Sequence, residues 1–409
     1  MKHFIVILLT FSFLSCYGKE TESIFSYCHL FLDTTRINTQ SITTDQNHSL
    51  LNAIQGAGVN LDGFLTEKLP LIDYRKIVLP VPQYIISDDP EYIRVQEAIA
   101  VRETVQPGTV RLYVYNVNGV LDPAKIDRKI TAVIKNQGTE DMHLIMLKYS
   151  SQKPSTNYYQ IAKMGLNDYF NSLPQTNPRI IKPGAIVAID EQLEKNVVKY
   201  DELVHGIYEF VIDQPGEISV IQTDTQSSDA DVISRIRTVH PSSNTNAGRG
   251  LFGISNYLVV AKDTFSTLNP AASLVVADGL RDPWINGIDA STGRIMNLDG
   301  NYGVIYDIEV NWESPDGKGL ALVTWNALSS GKWCGGMANV MRASKGKFKE
   351  GIIQLPSNKL ITNGYPEAVL IQIFLPDPKN KIQTIKLTYT PPGASCLPIP
   401  LIFIPVDLE

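Results

Sequence analysis

The chain of 409 residues is poor in cysteine, histidine and charge. Its four cysteines and six histidines form no Cys-x-x-Cys, no paired Cys/His spacing and no His-x-His, which argues against a structural zinc site. The signatures of nucleophilic and metal-assisted hydrolysis are missing too: no Gly-x-Ser-x-Gly, no complete Ser-x-x-Lys set, no His-Glu-x-x-His. No phosphate loop and no Gly-x-Gly-x-x-Gly follows a strand, so no nucleotide, metal or other cofactor is expected. Charged residues make up 19%, below the usual quarter, which suits an exported β-rich protein better than a cytosolic helical one. The formal net charge of −6 leaves no basic excess, so nucleic acid is not an expected partner. No repeat of fixed period is visible. Beyond the N-terminus no apolar run approaches membrane length.

What is present begins at the N-terminus. Lys2 and His3 precede the apolar run Phe4–Leu14, which ends in Ser15-Cys16-Tyr17-Gly18. That run is short of the roughly 20 apolar residues a membrane span needs, and its flanks read as a secretory signal over residues 1–18. Two cleavage readings stand. A cut after Gly18 would release a soluble chain, with Cys16 and Gly18 as the small residues of the site. Alternatively, Phe13-Leu14-Ser15-Cys16 resembles a bacterial lipoprotein signal, in which a lipidated Cys16 becomes the mature N-terminus and the sole contact with the membrane. Either way the expected location is outside the cytoplasm, at the cell surface or envelope or beyond it. There Cys334 and Cys396 could pair, closing a loop that stabilises by about 4 kcal/mol in the chain-entropy model; two free, buried thiols are the alternative. Cys28 is then left over.

The body of the chain reads as mainly β. Residues 19–105 read as an irregular N-terminal segment that packs on the first domain, with Thr34–Ser49 as an exposed tether. Residues 106–225 read as a β-sandwich domain. Val110, Leu112, Val114 and Asn116 alternate with Arg111, Tyr113 and Tyr115, a period of two. Further strands are expected over 129–138, 142–149, 180–189, 206–212 and 217–221, interrupted by one helix over 155–173. Residues 226–250 read as a polar linker. A second β domain, 251–409, carries strands near 302–310, 320–325, 368–374 and 382–389. Leu397–Pro405, with three prolines, reads as an extended final strand or edge segment. The fold class expected is therefore two β-sandwich-like domains after a signal peptide. A strand ending in Asn136-Gln-Gly138, a later Lys182-Pro-Gly184 and a strand opening with Gly206-Ile-Tyr208 resemble immunoglobulin-like modules, which implies that architecture for the first domain.

Four further stretches carry a second resemblance: Val110–Gly119, Pro154–Lys163, Gly300–Tyr306 and Pro391–Ser395. They look like a group of exported bacterial proteins, found mainly in Firmicutes and labelled copper-amine-oxidase-like after a stalk domain that some carry. The stalk domain is absent from this chain, and these stretches supply no copper ligands and no catalytic residues. The resemblance implies an envelope location and a β architecture, and no activity.

The candidate chemistry lies in one loop-rich region. Arg281, Asp282, Trp284 and Asp289, followed by Asp299, offer an aromatic ring beside an Arg/Asp pair, suited to stacking on a sugar. Ordinary turn chemistry, with Arg281 and Asp282 paired locally, is the competing expectation. Trp333, in a Gly-rich stretch, is the tryptophan expected to be exposed, whereas Trp325 follows an apolar strand and reads as core. Tyr158 and Tyr159 fall on different sides of the expected helix, leaving one free for a surface role. The function expected is that of a non-enzymatic envelope protein, a binding or structural module whose ligand would be a polysaccharide or another envelope component. The alternative is an exported hydrolase of an extracellular or cell-wall polymer, with Asp282, Asp289 or Asp299 as acid/base groups.

Overall fold

Alternation of apolar and polar residues decides which sheets of this mainly β protein face water. Its computed structural model describes residues 41–64, 69–241, 248–325, 336–362 and 367–408, with the backbone alone of 328–329 and 332–333. The expected signal, Cys16, Cys28, Cys334 and the side chain of Trp333 lie outside the described residues. Among the described residues the strands build four larger sheets and a two-stranded ribbon.

A five-stranded sheet runs in the order Gly58–Asn60, Glu367–Phe374, Gly319–Trp325, Ile399–Val406, Ala272–Val276. Its three middle strands are almost continuously apolar because both faces are buried. Leu320 and Leu322 join one core with Val369, Leu401 and Phe403, while Ala321, Val323 and Trp325 join another with Leu370, Ile402 and Ile404. The seven-stranded sheet, by contrast, has one wet face. Along Ile305–Glu313, Tyr306, Ile308, Val310 and Trp312 are buried and the residues between them are not. This strand lies between Asn256–Ala261, which pairs on its other side with Tyr74–Leu79, and Ile382–Tyr389.

The nine-stranded sheet is centred on Gly108–Asn118, flanked by Gln83–Ser87 and Leu203–Ile212. Val110, Leu112 and Val114 meet Ile130, Ala132, Ile218 and Val220 of the four-stranded sheet, Ile186–Ala188, Lys129–Asn136, Gly216–Thr223, Ala98–Val105. The alternate residues Tyr113, Tyr115 and Val117 point the other way. They enter the largest core, shared with the helix Tyr158–Asn171 and with the seven- and five-stranded sheets. Both alternating sets of this strand are thus interior.

Several expectations need correction. The strand expected over 180–189 is two strands, Arg179–Ile181 and Ile186–Ala188, which belong to different sheets. Pro183 cannot donate to a ladder, and Gly184 adopts a left-handed φ of 73° that turns the chain from one sheet to the other. The helix expected over 155–173 spans Tyr158–Asn171, because the Asn157 side chain caps it, accepting from the Gln160 N–H at 3.1 Å.

The segment read as irregular holds strands of every larger sheet. Gly58–Asn60 belongs to the five-stranded sheet, Tyr74–Leu79 to the seven-stranded, Gln83–Ser87 to the nine-stranded and Ala98–Val105 to the four-stranded. Its expected tether is, from Thr44 to Asn52, a helix started by a reciprocal capping box between Thr43 and Gln46. Asn47 of that helix exchanges two hydrogen bonds with the Asp407 backbone, at 3.0 and 2.9 Å.

The 226–250 stretch also holds ordered structure. A short helix, Asp229–Arg235, buries Val232 in a small core with Ile99, Val133 and Ile221; residues 242–247 lie outside the described residues. The strand Arg249–Phe252 crosses the expected boundary at 250/251 and pairs with Gln83–Ser87, bringing Asn286–Asp289 and Arg294–Asn297 into the nine-stranded sheet. The final strand, Ile399–Val406, is interior rather than an edge, lying between Gly319–Trp325 and Ala272–Val276. Its alternating Leu401/Phe403 and Ile402/Ile404 suit a strand buried on both faces.

Candidate functional site

The residues singled out from the sequence do not form a site. Asp282 is fully buried and forms an ion pair with Lys76, and it accepts the Ala277 N–H at 2.8 Å. The Lys76 ammonium also lies 4.1 Å from the centre of the Tyr257 ring. Arg281, exposed, pairs instead with Asp73 at 3.3 Å, so the expected Arg281–Asp282 contact is replaced by two contacts to the Tyr74–Leu79 region. Trp284 is half-buried against the core, closely enough to Gly279 that a Cβ there would fall 2.5 Å from its ring. Asp289 is buried 3.4 Å from the Arg249 guanidinium and accepts from Ser291 and Thr292, which is turn chemistry. Asp299 is exposed, and partial burial raises its carboxyl. Trp325 is core, as is Trp312. Cys396 is disulfide-bonded, and the three other cysteines lie outside the described residues.

A different set of residues converges. Asp88, Glu91, Tyr113, Tyr115, Tyr158, Tyr302, Gly393 and Ala394 line a cleft of about 240 Å³. Tyr113 and Tyr115 come from the inner face of the Gly108–Asn118 strand, and Tyr158 opens the helix. Asp88 and Glu91 follow the Gln83–Ser87 strand, and Gly393 follows Ile382–Tyr389. A Cβ on Gly393 would fall 2.5 Å from the Tyr115 ring, so only glycine lets this loop approach it. The four stretches that carry the resemblance to exported bacterial proteins each supply a lining residue here: Tyr113 and Tyr115, Tyr158, Tyr302, then Gly393 and Ala394.

Some of these groups are held firmly. The Tyr158 and Tyr92 hydroxyls lie 2.9 Å apart, and Tyr158 donates to the Asp201 carbonyl at 3.2 Å. The Tyr113 hydroxyl lies 3.2 Å from His205 Nε2 and accepts the Gly393 N–H at 3.3 Å. Among the described residues, three of the four non-glycine residues with a left-handed φ lie at the same place, the fourth being Ala277 beside Asp282. Asp201 (φ 67°), Asn301 (φ 49°) and Ala394 (φ 57°) adopt left-handed conformations without being glycine, and each lines the cleft or touches or adjoins a residue that does. Aspartate and asparagine adopt this conformation at little cost, so Ala394 is the strained member of the three.

Other groups of the cleft are open. Among the described residues no side chain or backbone group bonds the Asp88 or Glu91 carboxylate, nor the hydroxyl of Tyr115 or Tyr302. Burial, then the neighbouring Glu91 and Asp89, pushes the half-buried Asp88 carboxyl well above the usual carboxylate range. Burial raises Glu91 as well. Tyr302 is pushed up to about 12 by burial and then by Asp88, Glu91 and Asp299. The cleft therefore sets two carboxyl groups side by side, and neither has an ion-pair partner among the described residues.

Other concavities lack this character. A groove of about 410 Å³ crosses the wet face of the seven-stranded sheet, but there Lys386 pairs with Glu309 at 3.1 Å, Arg342 with Glu350 at 2.7 Å, and Asp307 accepts from the Thr388 hydroxyl at 2.8 Å. Among the described residues no group of three or more His, Cys, Asp or Glu is placed to hold a metal ion. No helix among them is long and apolar enough to cross a membrane.

Fold and cleft thus define a mainly β protein with an acidic, tyrosine-lined cleft between its sheets and loops. No protein-family model matches the chain, and no curated protein matches it.

Proposed function

We propose that this chain is an exported cell-envelope protein that binds a polysaccharide in the tyrosine-lined cleft without transforming it. The reading takes the body of the chain as two β-sandwich-like units, the first immunoglobulin-like, following an N-terminal signal. It takes Cys16 as either a lipid anchor or part of what is cleaved away, and Cys334 as the partner of Cys396. The observation that carries the binding role is the convergence of Asp88, Glu91, Tyr115 and Tyr302, open among the described residues, on one cleft. Binding sites combine apolar and aromatic walls with a few polar groups left open for the ligand. Tyrosine suits sugars, because its ring meets C–H faces while its hydroxyl bonds a ring hydroxyl.

The test is a glycan-binding screen on the mature chain, repeated with Tyr302→Ala. Retention of an oligosaccharide that the variant loses supports the reading; absence of binding to any envelope or extracellular glycan overturns it. Mass spectrometry of the mature N-terminus, looking for a diacylglyceryl-modified Cys16 or a start at Lys19, tests the export part separately.

A second reading is favoured by one observation. Asp88 and Glu91 line the same cleft and both carboxyls are raised, as a general acid in glycoside hydrolysis requires. An exported hydrolase would use these two groups, not Asp282 or Asp289, which are buried in ion pairs. Release of reducing ends from a bound glycan, abolished by Asp88→Asn, would establish it.

A further inference from the structure

We propose that the cleft selects a cationic sugar, a hexosamine unit whose amine is free and protonated, with its ammonium held by Asp88 and Glu91. This rests on the polysaccharide reading above and names the class of sugar.

The first reason is a contrast within the molecule. The chain supplies a cation to several other buried or half-buried carboxylates: Lys76 to Asp282, Arg249 to Asp289, Arg111 to Glu209, and Lys129 to both Glu194 and Asp229. Asp88 and Glu91 have none among the described residues. The Arg94 guanidinium lies over the Tyr92 ring, 5.2 Å from its centre, and makes no ion pair with them. His205 lies behind Tyr113, where burial lowers its pKa to about 3 and leaves it neutral. These half-buried carboxylates are only partly hydrated, and a bound ammonium would supply the missing charge.

The second reason concerns what else the ligand must offer. Tyr115 is 5% exposed, lines the cleft, and has a hydroxyl with no partner among the described residues. This hydroxyl still reaches solvent at the cleft, so it is open to a hydrogen bond from the ligand, which a sugar hydroxyl provides. The tyrosine rings add attraction for a cation through their negative faces. N-acetylation would replace the ammonium by a neutral amide whose carbonyl oxygen is itself an acceptor. A uronic acid would place a third negative charge in the cleft. A plain amine would satisfy the carboxylates but leave Tyr115 and Tyr302 unbonded.

Titration calorimetry of the mature chain separates these ligands. The probes are a β-1,4-glucosamine tetramer, its fully N-acetylated counterpart, a galacturonic acid tetramer and spermidine. The glucosamine tetramer is expected to bind at least about tenfold more tightly than each of the others. Glu91→Gln and Asp88→Asn should each remove most of that preference, while Tyr302→Phe, which keeps both carboxylates, should weaken all glycans and retain it. Thermal unfolding of each variant checks that the fold is intact. Equal or tighter binding of the N-acetylated tetramer overturns the charge selection and leaves the polysaccharide reading standing. Binding of spermidine as tight as that of the glucosamine tetramer overturns the sugar class. Failure of every glycan overturns both readings.

Discussion

Arg111 and Glu209 face each other across adjacent strands, and one carboxylate oxygen of Glu209 accepts from both Nε and Nη2 of the arginine, at 3.1 and 2.6 Å. The remaining nitrogen, Nη1, donates to the Ser255 carbonyl, to Asn256 Oδ1 and to the Gly303 carbonyl. One buried side chain thereby joins the nine-stranded sheet to the loops that open two strands of the seven-stranded sheet. Arg111→Met leaves Glu209 without its cation and the three acceptors without this donor. The expected loss is about 3–5 kcal/mol of stability, read as a lower urea midpoint. The double change with Glu209→Gln should recover part of it.

His205 should make the fold acid-sensitive. Burial lowers its pKa to about 3, below the value near 6.5 of an unfolded chain. Between those values the unfolded chain takes up a proton that the native imidazole refuses. The stability present above pH 6.5 is therefore lost as the pH falls toward 3. Between pH 6.5 and 4.5 the contribution is roughly 2–3 kcal/mol. Urea midpoints at pH 7 and 4.5 should drop further for the natural chain than for His205→Gln.

Asp88 acts in the opposite sense. Its folded carboxyl is raised, so its favourable contribution is complete below the unfolded value near 3.9 and is lost as the pH rises through the folded one. Asp88→Asn is expected to gain roughly 0.5–2 kcal/mol at pH 7, as replacing a destabilising site residue commonly does. The gain should vanish below about pH 4. Thermal unfolding at pH 7 and 3.5 compares the two.

The strands were largely legible in the sequence, and the cleft was not. Where one face is wet, as along Ile305–Glu313, alternation is visible and the element is found. Where both faces are buried, as around Leu320–Trp325, the pattern marks a strand without indicating how many layers cover it. The short strands Gly58–Asn60, in a Gly-rich stretch, and Gln83–Ser87, between Pro82 and Pro90, are defined only by pairing with distant partners. The cleft draws on five separated parts of the chain, from Asp88 to Ala394, so no local spacing announces it. Aspartates close to a tryptophan in sequence, Asp282 and Asp289, proved to belong to ion pairs with Lys76 and Arg249.

Those ion pairs have a separable effect. Asp282→Asn should weaken the link to Lys76 and cost roughly 3 kcal/mol of stability, while glycan affinity at the cleft stays within about twofold of the natural chain. Calorimetric titration alongside thermal unfolding reads both. Loss of affinity without loss of stability would return Asp282 to the ligand site.

The helix Thr44–Asn52 is fastened to the far end of the chain by the Asn47–Asp407 hydrogen bonds, across a separation of 360 residues. Gly58–Asn60 similarly waits for the strand Glu367–Phe374. This helix and this strand therefore have no place to dock until residues 367–407 exist, and contacts of such long range form slowly. A nascent chain of this design holds its first described helix in reserve until its C-terminal strands are made.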